Sequence, residues 1–288
     1  MTDRTASPTI GDVLRSAVRQ LNVAGIADAE LDARFLMAGA LDIETSTLLA
    51  RRERAIEPQA KANFSGFIAR RLAGEPVHRI LGRRGFYGRD FELSSGTLEP
   101  RPDTEIVVEM GIAFLKSRKR TGPLRFLDIG TGSGVIALSI LAELPVTTGV
   151  ATDISEDALA TARRNAERLQ VGDRFEAFLA EYTAGIAGPL DLVVSNPPYV
   201  PTRDIEGLSS EVRDYDPRAA LDGGQDGLDA YRAIASETRG ILAEGGSVIL
   251  EIGYDQQDTV SRIFEGQGFT LSEWKMDYGG VVRALRFI

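Results

Sequence analysis

Apolar residues recur every three or four positions through the first quarter of the chain. In residues 9–74, Ile10, Val13, Leu14, Val18 and Leu21 share one helical face. Thr9, with Asp12 three positions on, reads as the N-terminal cap of that helix. Leu31, Phe35, Leu36 and Leu41 form a second face, and residues 46–51 add one or two turns. Phe64, Phe67, Ile68 and Leu72 form a third, opened by Pro58 at a first-turn position and stopped by Gly74. The pattern predicts a bundle of four or five short helices whose apolar faces are core.

Between 75 and 100 the pattern changes. Gly82, Gly85, Gly88 and Gly96 punctuate Phe86, Tyr87, Phe91 and Leu93, which predicts a β-hairpin bridging two domains. His78 is expected on the surface or in that hairpin. From 103 onward the spacing alternates between strand and helix. Helices are expected at 105–116, 135–144, 156–169, 228–242 and 259–267. Strands are expected at 124–129, 148–153, 174–179, 190–195, 247–252, 269–274 and 281–287. This order predicts an α/β fold with a mostly parallel sheet covered on both faces. The link at 275–280 is too short for a crossover helix, so the last two strands pair antiparallel. Trp274 is expected in the core. The domains expected are therefore 1–80, a hairpin linker at 81–102, and 103–288.

Composition narrows the chemistry. The 288 residues include one His and no Cys. Disulfides, thiolate nucleophiles and Cys or multi-His zinc sites are excluded, and no metal site is expected. The net charge of −9 sets the chain apart from the basic footprint of most nucleic-acid binders. The basic run at 116–120 reads as a solvated loop. The first ten residues are polar without an apolar h-region, and no apolar stretch approaches the ~18 residues of a membrane span. A cytoplasmic protein without membrane contact is expected.

Two loops carry candidate chemistry. Asp128-Ile129-Gly130-Thr131-Gly132-Ser133-Gly134 follows the first predicted strand of the α/β region and opens a helix. Its spacing is neither the dinucleotide Gly-x-Gly-x-x-Gly nor a P-loop. Asp128 ahead of the glycines disfavours a pyrophosphate and suits an amine-bearing ligand. The next strand ends at Asp153, where an acidic residue commonly accepts from ribose hydroxyls. Together these read as an S-adenosyl-L-methionine site, with ribose on Asp153 and the methionine moiety near the glycines and Asp128. A structural turn with a capping Asp is the plainer reading of the loop alone.

Asn196-Pro197-Pro198-Tyr199 follows a buried-strand run, at the strand end where open α/β sheets bind ligands. Two prolines remove two backbone donors and leave carbonyl oxygens without competing N–H groups. Asn196 offers a second carbonyl acceptor, and Tyr199 a flat face. A planar NH₂ conjugated to a carbonyl or ring is a poor nucleophile. Acceptors on Asn196 and Pro197 would hold its two hydrogens and strengthen as the nitrogen becomes cationic. Gln amides and adenine exocyclic amines pose the same problem. A protein-glutamine N-methyltransferase and an adenine-N6 nucleic-acid methyltransferase therefore both fit, and a binding module that retains the fold is a third class.

The order of motifs separates them. Gly74-Glu75-Pro76, Ile80-Leu81-Gly82, Gly85-Phe86-Tyr87-Gly88 and Pro100-Arg101-Pro102-Asp103-Thr104-Glu105 precede the two loops. Leu221-Asp222-Gly223-Gly224, Asp226-Gly227 and Leu250-Glu251-Ile252-Gly253 follow them. Over nearly its full length the chain resembles the release factor glutamine methyltransferases of the PrmC/HemK type. The resemblance implies a helical N-terminal domain for substrate recognition, a hairpin linker and a Rossmann-like seven-stranded class I methyltransferase domain. It implies methyl transfer from S-adenosyl-L-methionine, leaving S-adenosyl-L-homocysteine, to amide N5 of the Gln in the Gly-Gly-Gln motif of class I peptide chain release factors. Cofactor contacts carry over onto Gly130, Thr131, Gly132, Ser133, Gly134, Asp153 and Asn196. Substrate contacts carry over onto Asn196, Pro197, Pro198 and Tyr199, with Asn196, Pro197 and Tyr199 as the catalytic set. Where the family often has Trp to pack on adenine, this chain has Tyr182. His78-Arg79 and Glu99 also depart from the family pattern, outside the transfer site. Residues 222–227 read as a flexible loop with glycine hinges. A monomer is expected, with its acidic surface meeting a basic face of the release factor rather than nucleic acid.

Overall fold

A computed structural model describes residues 7–119 and 122–288. The first six residues of the polar N-terminal stretch and Arg120 of the basic run lie outside the described residues. The chain divides into two compact units, Met1–Gly82 and Arg83–Ile288. The hairpin expected as a separate linker thus counts with the second unit.

The first unit contains α1 (Ile10–Val23), α2 (Ala29–Leu41), α3 (Pro58–Leu72) and α4 (Val77–Leu81), with 3₁₀ turns at Thr45–Thr47 and Leu49–Arg51. Thr9 and Asp12 form the reciprocal cap of α1: each backbone N–H donates to the other's side chain at 3.1 Å. Leu14, Leu21, Leu36, Met37, Phe64 and Ile68 close the core. Leu31 is exposed instead, because α2 turns the small Ala29 and Ala33 inward where the helices approach. The helix α4 occupies the start of the segment read as hairpin. Pro76 accepts from Ile80 N–H at 3.0 Å, and Gly82, at φ 66°, ends the turn. His78 therefore lies on a helix, its ring 5.8 Å from that of Phe35.

The second unit opens with the antiparallel hairpin β1 (Arg83–Phe86) and β2 (Arg89–Glu92). The chain continues as α5 (Glu105–Ser117), β3 (Leu124–Ile129), α6 (Val135–Glu143), β4 (Thr147–Asp153), α7 (Glu156–Arg168), β5 (Phe175–Leu179) and β6 (Leu190–Ser195). It ends with α8 (Ser210–Arg213), α9 (Asp229–Thr238), β7 (Leu242–Glu251), α10 (Gln257–Gly266), β8 (Leu271–Met276) and β9 (Val282–Phe287). Seven strands form one sheet in the order β5-β4-β3-β6-β7-β9-β8. Strands β3 to β7 run parallel, while β9 pairs antiparallel with both β7 and β8. This is the class I, Rossmann-like arrangement expected from the sequence.

Each face of the sheet carries its own core. One gathers Val107, Ile140, Ala162 and Val194, and the other Tyr231, Ile234, Phe264 and Val193. Every residue of β6 is buried, as the apolar run at 192–194 in a strand covered on both faces requires. Two expectations are corrected. The helix read as 228–242 stops at Thr238, passes through a 3₁₀ turn at Arg239–Ile241, and gives Leu242 to β7. Trp274 is 47% exposed, because β8 is an edge strand with one face to solvent. Among the described residues no helix is long and apolar enough to cross a membrane.

Candidate active site

Chain order reverses between the adjacent strands β3 and β6, so their carboxyl ends splay apart into a crevice. The glycine loop leaves β3 there, and Asn196-Pro197-Pro198-Tyr199 leaves β6. A cavity of about 610 Å³ fills the crevice. Of the residues predicted from sequence, Gly130, Thr131, Gly132, Ser133, Asp153, Tyr182, Asn196, Pro197 and Pro198 line it. Asp128, Gly134 and Tyr199 do not.

The glycine loop is held from beneath. The N–H groups of Gly130 and Thr131 both donate to the Thr152 carbonyl, at 2.8 and 3.0 Å. Gly132 adopts φ 57° with open space where a Cβ would stand, so its backbone faces the cavity unshielded. A Cβ on Gly134 would lie 2.8 Å from Leu138 Cδ1 and 3.3 Å from Ala162 Cβ. The last glycine therefore serves helix packing and does not line the cavity.

Asp128 is fully buried behind the loop. Its Oδ2 accepts from Thr131 Oγ1 at 2.8 Å and from Ala137 N–H at 3.2 Å, while Oδ1 has no partner among the described residues. It braces the loop rather than forming the wall expected beside an amine. Burial pushes its carboxyl up to about 7, against the lowering effect of those two hydrogen bonds. The folded chain therefore holds a proton that the unfolded chain has lost above its ordinary value of 3.8. Because the native state binds more protons in that window, unfolding free energy falls as pH rises from about 4 to 7, then levels off. Asp128→Asn is expected to remove about 2 kcal/mol of the stability difference between pH 5.5 and 8.5. Urea titrations at pH 5.5 and 8.5 measure it, and an unchanged difference in the variant would contradict the assignment.

Asp153 presents its carboxylate to the cavity. Oδ2 accepts from Gly132 N–H at 2.8 Å and Oδ1 from Ser155 N–H at 2.9 Å. A carboxylate has roughly four acceptor positions, so these bonds leave acceptor capacity for a diol. Burial raises its pKa, with the Gly132 and Ser155 N–H groups opposing. Tyr182 stands at the cavity edge at φ 47°, its carbonyl accepting from Thr152 Oγ1 at 2.6 Å. Ser133 Oγ, buried at the cavity wall, has no partner among the described residues. Open glycines, a carboxylate with spare acceptors and an unpartnered hydroxyl fit a ligand that brings its own hydroxyl and amine groups. S-adenosyl-L-methionine meets that description.

Across the cavity, Asn196 Nδ2 donates to Thr104 Oγ1 at 3.1 Å, and Thr104 Oγ1 donates to Glu251 Oε2 at 2.6 Å. Asn196 Oδ1 and the Pro197 carbonyl accept no hydrogen bond from the described residues. Tyr199 differs from expectation. Its ring packs against the core that holds Tyr231, and its carbonyl accepts from Gln256 Nε2 at 3.1 Å. Burial, helped by the charge of Glu251, pushes its hydroxyl up to about 12. Tyr199 thus anchors the loop and forms no flat face in this cavity.

Residues 222–227 also differ. They are braced, not hinged: Gly223 N–H donates to the Val200 carbonyl at 2.9 Å, and Gln256 Nε2 donates to the Gly227 carbonyl at 3.2 Å. A Cβ on Gly227 would collide with the Tyr199 carbonyl. These glycines let one loop lie directly on the other.

Four supporting residues were assigned no function from sequence: Thr104, Asn165, Glu251 and Gln256. Asn165 is buried on α7. Its Nδ2 donates to the Ser133 and Glu92 carbonyls at 2.9 and 3.1 Å, and its Oδ1 accepts from Glu92 N–H at 2.8 Å. It ties the hairpin to the glycine loop. A polar residue amid Ala158, Leu159, Ala162 and Ala166 was the signal available for it. Arg101, at the cavity wall, pairs with the buried Asp216 at 2.7 Å, and Glu105 accepts from Tyr87 N–H at 2.7 Å.

Comparison with known proteins accords with this geometry. A family model described as PrmC N-terminal domain matches residues 12–82, and one described as Methyltransferase small domain matches 109–209. A release factor glutamine methyltransferase from Agrobacterium fabrum is 45% identical over 280 residues, covering 97% of each chain. One from Bradyrhizobium diazoefficiens is 43% identical over 290 residues, covering 99% of this chain and 98% of that protein. Among solved structures, the hMettl16 catalytic domain superposes with a TM-score of 0.56 at 15% identity, over 70% of this chain and 76% of that one. That likeness concerns the fold alone. The curated relatives match across both units, and the chain belongs to the release factor glutamine methyltransferase family.

Proposed function

We propose that this protein methylates the side-chain amide N5 of the Gln in the Gly-Gly-Gln motif of class I peptide chain release factors. The methyl donor is S-adenosyl-L-methionine and the by-product S-adenosyl-L-homocysteine. One observation carries the chemical part of this reading: two unengaged carbonyl acceptors, Asn196 Oδ1 and Pro197 O, share a cavity with the glycine loop and Asp153. The near-full-length likeness to named relatives supports the substrate.

The cofactor, when bound, supplies an electrophilic methyl group. The chain's own residues do the rest. Asp153 and the glycine-loop backbone hold the donor, with Tyr182 at the cavity edge. Asn196 Oδ1 and Pro197 O accept from the two hydrogens of the incoming amide and fix its plane. As the nitrogen gains positive charge, those hydrogens become more acidic and both bonds strengthen, which lowers the barrier selectively. The nitrogen then sheds one proton to water, since a cationic amide nitrogen is acidic enough to need no His or Cys. A chain with one His and no Cys can therefore run this reaction.

The remaining reading is a cytoplasmic monomer that meets its substrate without nucleic acid. The −9 charge supports a basic protein surface as partner over a polyphosphate. The experiment offers methyl-labelled cofactor together with a release factor, its Gln→Ala variant and duplex DNA. Label on the wild-type release factor alone is expected. Label on DNA would favour adenine-N6 transfer, and no label anywhere would favour a binding module.

A further inference from the structure

We propose that Thr104 and Glu251 are positioning residues that set which end of the Asn196 side-chain amide meets the substrate. The inference rests on the amide-transfer reading above and deepens it. Glu251 ends β7 and Thr104 ends the Pro102–Thr104 turn; both are buried. Neither lies among the residues assigned a role from sequence.

Counting hydrogens fixes the arrangement. A hydroxyl has a single hydrogen. Thr104 gives it to Glu251 Oε2 across 2.6 Å, the length of a charge-assisted O–H···O⁻ bond. Thr104 Oγ1 can then only accept from its other neighbour, the Asn196 amide at 3.1 Å. Asn196 must present Nδ2 inward, and the planar amide then turns Oδ1 away from Thr104. An acceptor for the substrate NH₂ is the result. With Glu251 protonated, the chain of donors reverses. Glu251 donates to Thr104, Thr104 donates to Asn196 Oδ1, and Nδ2 turns outward. Two NH₂ groups would then face each other, and the clamp is lost.

The surroundings set where the reversal occurs. The Thr104 hydroxyl, Arg283 on β9 and the Asn196 side chain itself favour ionisation of Glu251, while Asp103 on the same turn opposes it. Arg283 is itself shared between Asp103 at 3.3 Å and Asp277 at 2.9 Å. Tyr231 on α9 donates to the Glu251 backbone carbonyl at 3.0 Å, and the Tyr199 hydroxyl is also close enough to feel its charge. Arg101 acts on Tyr199 from the preceding segment. Burial outweighs all of these and pushes the Glu251 carboxyl up to about 7. Transfer should therefore fail below neutrality and recover above it.

The test uses the full chain with methyl-labelled cofactor and a release factor. Thr104→Val is expected to lower kcat by about tenfold to a hundredfold, with the cofactor Kd within about threefold of wild type. Thr104→Ser should restore most of the rate. Wild-type kcat should show an acid limb with a midpoint near 7, and Glu251→Gln should be slow without that limb. In ¹⁵N-labelled protein lacking cofactor, the Asn196 side-chain NH₂ resonances should shift with pH over the same range, and stay fixed in Glu251→Gln. Near-wild-type kcat in Thr104→Val, or an acid limb that persists in Glu251→Gln, overturns the proposal. Should Glu251→Gln not fold, a wild-type profile flat from pH 6 to 8 overturns it instead. Absence of transfer by the wild type defeats the underlying functional reading. Wild-type transfer that is insensitive to the variants defeats only the relay.

Discussion

Asn196→Ala is expected to lower kcat by about a hundredfold to a thousandfold, the range found on removing one preorganised hydrogen-bonding group from a developing charge. The loss should fall on kcat more than on KM, because the Asn196 bond to the substrate gains strength only as the nitrogen becomes cationic. Stability should change little. Asn196 is partly exposed, and truncation removes its bond to Thr104, worth about 1 kcal/mol, together with its support of the Glu251 carboxylate. Thr104 keeps its bond to Glu251. Steady-state kinetics beside thermal melts separate the two effects. Near-normal kcat in a folded variant would remove the amide clamp from the mechanism.

The second large effect is expected at the cofactor. Asp153→Ala should raise the cofactor Kd by about tenfold to a hundredfold, since hydrogen bonds to a charged acceptor contribute roughly 1.5–3 kcal/mol. Two sources add to this. The free acceptor positions of Asp153 are lost to the ribose, and Gly132 N–H loses the partner that fixes the loop. At saturating cofactor the variant should recover much of its rate, because Asp153 touches no atom of the Gln amide in this scheme. Isothermal titration measures the Kd. A value equal to wild type would mean that the ribose lies elsewhere.

The position of both residues at the cavity was legible in the sequence because each stands at the carboxyl end of an apolar strand, where open α/β sheets form their crevice. The seven-stranded sheet and its closing antiparallel pair were legible for the same reason: strand and helix periods alternate cleanly from 124 onward. The short helix at Val77–Leu81 was not. Its apolar pair, Val77 and Ile80, is too brief to register a helical period beside the glycines that follow. Trp274 misled because hydrophobicity says nothing about whether a strand lies at a sheet edge. Tyr199 misled in a different way. Proximity in sequence to Asn196 suggested a shared cavity, but the ring packs against the core and does not line that cavity.

The supporting shell was the least legible part. Thr104 and Glu251 are 147 residues apart and Glu92 and Asn165 are 73 apart, so no local spacing marks either pair. The glycines at 223, 224 and 227 suggested mobility. Gly223 and Gly227 are required by close backbone approach to Pro198 and Tyr199, and Gly224 by its φ of 87° beside the Asp229 side chain, tertiary facts that resemble a hinge in sequence. Asp128 likewise looked like a ligand contact and proved to be the brace of the loop in front of it.

In this scheme the methyl group reaches a Gln side-chain amide nitrogen. Fragmentation mass spectrometry of a release factor treated with this protein and cofactor tests it most directly. One added methyl on the side-chain nitrogen of the Gly-Gly-Gln glutamine is the expected result. A methyl on any other residue, or an unmodified peptide from a reaction in which the cofactor is consumed, would contradict it.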